Sequence, residues 1–167
     1  LVVEGGRIDH AHHYNNAYNA LNETVEFSNA VAAALAATDA DETLIIVTAD
    51  HSHVMTMSGY PTRGNPILGK VLSNDDAGNP VTEVQLDRQE MPYTTLNYIN
   101  AVNTEAPGFH QEALIPLIDE THSGEDVPIY ASGPGAHLLS GSIEQNVIFH
   151  VMNYAGNLRE LALQALK

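Results

Sequence analysis

The run Leu44-Ile45-Ile46-Val47 is wholly apolar, and it gives way at once to Thr48-Ala49-Asp50-His51-Ser52-His53. A short apolar run rich in β-branched residues reads as a buried strand. The polar residues then fall at its C-terminal end, the edge at which open α/β sheets bind ligands. The chain's first residues repeat the arrangement. Leu1-Val2-Val3 reads as a strand end, and Asp9-His10-Ala11-His12-His13 follows where the pattern turns helical.

Asp9 and His13 are four residues apart, so a helix stacks their side chains on one face. A carboxylate and an imidazole so placed can hold a divalent metal, and zinc accepts both ligand types. The plainer reading is an acid at a helix N-terminus, favoured by the dipole, beside an incidental surface histidine. Asp50 and His51 are adjacent. On a strand they would point to opposite faces, so they can share a metal only where the strand has ended. Two Asp/His clusters together suggest a two-metal site, the chemistry of phosphate esters.

The fold class expected is α/β: a mixed, mainly parallel sheet flanked by helices, from strand–helix alternation at 1–37, 44–47 and 127–154. Residues 11–37 form one helical pattern, with Leu21, Val25, Ala32 and Leu35 recurring at helical spacing. Residues 56–118 read as a loop-rich insertion in which Asn74–Asn79 turns, Val81–Leu86 makes an edge strand and Met91–Ala101 a short helix. Val127–Ser132 resumes the sheet, with Pro128 at its start or edge. After the loop Gly133-Pro134-Gly135, Ser142 caps a helix through Val147, Val151 and Tyr154. Gly156 breaks it before a last helical segment, Leu158–Leu166.

Composition bounds the partners. The 167 residues suit a single domain, 1–167, and carry 21 acids against 6 bases, a formal charge of −15. Nucleic acid and anionic membrane surfaces are thereby disfavoured, because both need basic patches. An acidic, solvated surface keeps such a protein soluble, and bound metal ions can reverse the local sign for an anionic substrate. Cysteine is absent, which excludes disulfides and thiolate zinc sites. Apolar runs fall far short of the ~20 residues of a membrane span. The opening on Leu1, without an initiator Met, suggests the C-terminal piece of a longer polypeptide.

Three segments carry a resemblance: Val3-Glu4-Gly5-Gly6-Arg7-Ile8-Asp9-His10, Thr48-Ala49-Asp50-His51-Ser52-His53 and Glu120-Thr121-His122-Ser123-Gly124-Glu125-Asp126-Val127. In this order they resemble the C-terminal metal-ligand motifs of the alkaline phosphatases. Tyr60–Asn65, Gly133–Leu138 and Glu144–Asn146 fit the same family. The resemblance implies the C-terminal part of a three-layer α/β/α sandwich whose insertion projects toward a partner subunit. It implies Asp9, His13 and His122 on one zinc, with Asp50 and His51 on a second nearby, and Glu4 on a magnesium. His53 would brace Asp9 from outside the ligand set, and His10 would lie near phosphate. Arg63 is expected to be structural. The role of His12 stays open, and His110, His137 and His150 read as packing or surface residues.

The activity implied is phosphate-monoester hydrolysis at alkaline pH through a phosphoserine. One zinc lowers the pKa of a serine; the other stabilises the leaving oxygen and then carries hydroxide, the pair clamping both apical oxygens from roughly 4 Å apart. The Ser nucleophile, the phosphate-binding Arg and the remaining metal ligands are expected in the remainder of the polypeptide. A homodimer in the bacterial periplasm, or secreted, completes the expectation. The alternatives are a non-catalytic metal-binding fragment or subunit, and a related phosphodiesterase or sulfatase.

Overall fold

A computed structural model describes residues 1–58, 60–102 and 112–166; His110 lies outside them. The chain forms two compact units, one of residues 1–27 with 53–124, the other of 28–52 with 125–166.

In the first unit, helix α1 (Arg7–His13) is followed by α2 (Ala17–Ala37), whose later turns belong to the second unit. The single helix expected over 11–37 is thus two. Asn15 takes a left-handed φ of 42° and is fully buried. Asparagine tolerates that region, because its short polar side chain bonds locally. Asn16 then starts α2: its Oδ1 accepts the Asn19 N–H at 3.0 Å, the contact of an N-cap.

Residues 56–118 carry more regular structure than their Pro and Gly content suggests. Strands β3 (Met55–Met57), β6 (Leu96–Val102) and β7 (Ala113–Leu117) form a sheet in the order β3-β6-β7, and β4 (Leu72–Asn74) pairs with β5 (Pro80–Val84). The turn expected at Asn74–Asn79 joins that pair, with Asp75 Oδ1 accepting the Ala77 and Asn79 N–H groups. The helix expected at Met91–Ala101 is a correction: the segment contains most of β6. Tyr93-Thr94-Thr95 and Tyr98-Ile99 favour the pleated state, and pairing with β3 and β7 decides it. The core packs Ala17, Val54, Leu96, Tyr98 and Ala101, with Leu21, Met55, Leu68 and Ala113 against them.

In the second unit β1 (Ile45–Val47) pairs antiparallel with β9 (Tyr130–Ser132), Ile46 opposite Ala131. Gly133 makes the close approach possible: a Cβ there would meet the Thr43 carbonyl oxygen at 2.0 Å, and φ is 98°. A short 3₁₀ turn (Ala136–Leu138) leads to α3 (Asn146–Gly156) and α4 (Leu158–Ala165). Asn157, left-handed at φ 48°, separates these helices, so the break falls one residue beyond Gly156. Ser142 does not cap α3. The cap position is Gln145, without a side-chain bond, because the helix starts later than its apolar spacing suggests.

The α/β class is as expected. The balance of strand directions differs: β1–β9, β3–β6 and β4–β5 are antiparallel, and β6–β7 is parallel. Leu1-Val2-Val3 belongs to no strand and is exposed, because no strand among the described residues pairs with it. For the same reason β1, with β9 as its neighbour, is half-buried rather than enclosed.

Candidate metal centre

Helix α1 places Asp9 in its first turn and His13 in its last. Their separation of one helical turn brings His13 Nε2 to 3.3 Å from Asp9 Oδ1. His122 opens the two-residue strand β8 (His122–Ser123). The preceding residue is tied to β6: Thr121 N–H donates to Asn100 Oδ1, and Asn100 Nδ2 donates to Thr121 Oγ1, both at 2.9 Å. This anchorage carries His122 Nε2 to 3.2 Å from His13 Nε2 and 3.6 Å from Asp9 Oδ1. His53, at the end of β2 (Ser52–His53), reaches the same carboxylate oxygen with Nε2 at 3.2 Å. The ligand atoms of Asp9, His53 and His122 all lie within 4.8 Å of one another.

The hydrogen bonds around the cluster decide which ring nitrogens face it. His13 Nδ1 lies 2.7 Å from the Glu120 carbonyl oxygen. A carbonyl can only accept, so Nδ1 carries the proton and Nε2 is turned to Asp9 and His122. His53 Nδ1 donates in the same way to Glu120 Oε2 at 2.6 Å. His13 Nε2, His53 Nε2 and Asp9 Oδ1 are then acceptors, and their convergence beside His122 Nε2 is favourable around a shared proton or a cation. The donor set of one carboxylate and imidazoles suits zinc.

Glu120 was not singled out from the sequence, although it belongs to the motif that carries His122. Its signal is the spacing: on an extended segment, residues two apart share a side. His12 also gains a role. Its Nδ1 meets the Tyr98 hydroxyl at 2.9 Å, and its ring stacks on His53 with centroids 4.6 Å apart. Burial, then the neighbouring His53, lowers the His12 pKa from 6.5 to about 4, against the opposing pull of Asp9. Burial, then the Glu120 charge, raises the Tyr98 phenol well above its ordinary value. His12 therefore acts as a neutral packing partner of His53.

The other sequence candidates are placed as follows. Asp50 and His51 lie in the second unit beyond the end of β1, where the strand has given way to a bend. Asp50 Oδ2 is 3.6 Å from His51 Nε2, so adjacency in sequence becomes adjacency of ligand atoms. Asp50 is 89% exposed in its side chain and His51 25%. Glu4 is exposed just ahead of α1, its carboxylate beside Gly6, and is not among the described residues whose ligand atoms converge. His10 is exposed on α1. Arg63 is exposed in the turn closed by Asn65 N–H to the Thr62 carbonyl, and Asn65 Oδ1 accepts the Leu72 N–H. His137 and His150 are exposed.

A family model described as alkaline phosphatase matches residues 1–158, and the chain belongs to the alkaline phosphatase family. It is 43% identical over 175 residues to alkaline phosphatase 4 of Drosophila melanogaster, covering 95% of this chain and 29% of that protein. It is 43% identical over 170 residues to the tissue-nonspecific isozyme of Gallus gallus, covering 93% of this chain and 31% of the relative. The human tissue-nonspecific isozyme is 40% identical over 170 residues, covering 93% of this chain and 30% of that one. A mutant of TAB5 alkaline phosphatase with Mg bound in the M3 site superposes with TM-score 0.54 at 27% identity, covering 91% of this chain and 34% of that structure. The chain therefore spans about 30% of the length of these curated relatives.

Proposed function

We propose that this chain supplies most of the metal ligands of a phosphate-monoester hydrolase working at alkaline pH. The observation that carries the reading is the convergence of Asp9 Oδ1, His13 Nε2 and His122 Nε2, with pairwise separations of 3.2 to 3.6 Å. Three protein ligands leave zinc an open position for water or substrate, as a catalytic site requires. When bound, zinc supplies positive charge opposite phosphate and lowers the pKa of a coordinated oxygen.

The chain's own residues prepare that site. Asp9 and His13 are held by the rigid turn of α1, and His122 by the Asn100–Thr121 tie. His53 touches Asp9 and limits its rotation. The acidity of the chain, −15 in total, makes bound cations the natural means of admitting an anionic ester. Asp50 and His51 are assigned to a second zinc, Glu4 to magnesium, and His10 to the neighbourhood of phosphate. The reaction passes through a phosphoserine on a serine supplied by the remainder of the polypeptide, which also supplies the phosphate-gripping Arg. Inorganic phosphate is the product. A homodimer outside the cytoplasm, periplasmic or secreted, goes with this reading.

One observation favours a second reading. The chain spans only about 30% of its curated relatives, so by itself it can be a metal-binding piece without turnover. One experiment addresses both readings: zinc content beside hydrolysis of an aryl phosphate and of its diester, for the chain alone and joined to the remainder. The proposal expects zinc in both samples, and monoester turnover with an alkaline optimum only in the joined protein. Preferential diester turnover would reassign the activity. Absence of zinc from both would remove the metal assignment.

A further inference from the structure

We propose that Glu120 is a positioning residue that sets the ring orientation and proton placement of His13 and His53; the inference rests on the metal-site reading above. The Glu120 side chain is fully buried, at 0% exposure. A buried carboxylate is costly unless its lone pairs are satisfied, and here both oxygens are. Oε2 accepts from His53 Nδ1 at 2.6 Å, and Oε1 accepts from the Val54 N–H at 2.7 Å. The main chain of the same residue serves the other imidazole. Its carbonyl accepts from His13 Nδ1 at 2.7 Å, and its N–H donates to the His13 carbonyl at 3.1 Å.

One residue thus ties the end of α1 to the His53 end of β2, and it does so with acceptors alone toward both rings. Each Nδ1 must carry a proton, and each Nε2 is turned toward Asp9. A glutamine of the same shape could not replace it. Its single oxygen could accept from only one of the two donors, His53 Nδ1–H and Val54 N–H, and its NH₂ would face the other. The main-chain amide cannot change its role, so the histidine would yield: Nδ1 would become the acceptor and the proton would move to Nε2. Outer partners that orient ligands are typically worth roughly tenfold to a hundredfold in metal affinity.

The test compares the full chain with Glu120→Gln and Glu120→Asp, by histidine ¹⁵N–¹H correlation spectra without metal and by titration with zinc alone. In Glu120→Gln the account expects His53 to lose its Nδ1–H pattern while His13, held by a main-chain carbonyl, keeps its own. Zinc binding should weaken roughly tenfold or more, because a proton moved to His53 Nε2, 3.2 Å from Asp9 Oδ1, would hold that oxygen in competition with the metal. Glu120→Asp retains two acceptors and should preserve both the His53 pattern and the zinc affinity better than Gln does. A residue that merely fills space would give the opposite order, because Gln matches its volume and Asp does not. That order, or unchanged His53 and zinc affinity in Glu120→Gln, would overturn the proposal. Failure of the unsubstituted chain to bind zinc, with the His53 switch intact, would instead sink the metal reading and leave the positioning role standing.

Discussion

At the scale of single residues, the proposed metal site depends on which ring nitrogen of each imidazole is turned to Asp9. The ligand candidates Asp9, His13 and His122 were legible because each is a metal-binding residue type set in a recognisable motif. Glu120 and His12 were not, because their roles arise from contacts across 67 and 86 positions of chain, with His53 and Tyr98. His12 gives a pH prediction. Its pKa in the fold is lowered from 6.5 to about 4, chiefly by burial, so the folded state resists protonation. The associated stability is fully present above pH 6.5 and is lost as pH falls toward 4. Allowing for solvent around a half-buried ring, the loss is on the order of 2 kcal/mol. Urea unfolding of the zinc-stripped chain at pH 7.5 and 4.5 should show a smaller pH effect in His12→Gln than in the unsubstituted chain. Equal pH effects in the two proteins would contradict this.

At the scale of elements, local chemistry decided more than periodicity did. The apolar spacing of residues 11–37 is continuous, yet Tyr14-Asn15-Asn16 divides it, since Asn15 accepts a left-handed backbone and Asn16 caps the next helix. That break is what ends α1 at His13 and lets the main chain of His13 meet Glu120. Replacing the cap, Asn16→Ala, should cost about 1 kcal/mol, read as a lower urea midpoint with unchanged slope. Gly133→Ala should be far worse, because the new methyl would overlap the Thr43 carbonyl beside the β1–β9 pair. A variant with an unshifted thermal midpoint would show that this approach is not maintained in solution. A local reading of Met91–Ala101 suggests a helix, and the strand Leu96–Val102 forms instead because its pairing partners lie in distant segments that no local window contains.

At the scale of the whole molecule, the α/β class and the order of the motifs were legible, and strand direction was not. Direction depends on which segment lies alongside, as when β9 returns to pair antiparallel with β1. The same limit applies to the exposed apolar residues Leu1, Val2, Tyr130 and Ile118, whose sequence pattern suits burial. Phosphoryl transfer is mostly positioning and charge stabilisation, so the isolated chain should hydrolyse an aryl phosphate barely above background, while the joined protein turns over. Robust zinc-dependent turnover by the chain alone would place the nucleophile within it, among Ser52, Ser58 and Ser123. The convergence of Asp9, His13 and His122 is tested most directly by X-ray absorption at the zinc edge, on a chain whose second cluster is removed by Asp50→Ala and His51→Ala. The account predicts a shell of nitrogen and oxygen alone at about 2.0–2.1 Å, with histidine scattering that falls by one ring on His122→Ala and is unchanged on His137→Ala. Zinc that fails to bind this chain, or whose shell is indifferent to His122→Ala, would contradict it.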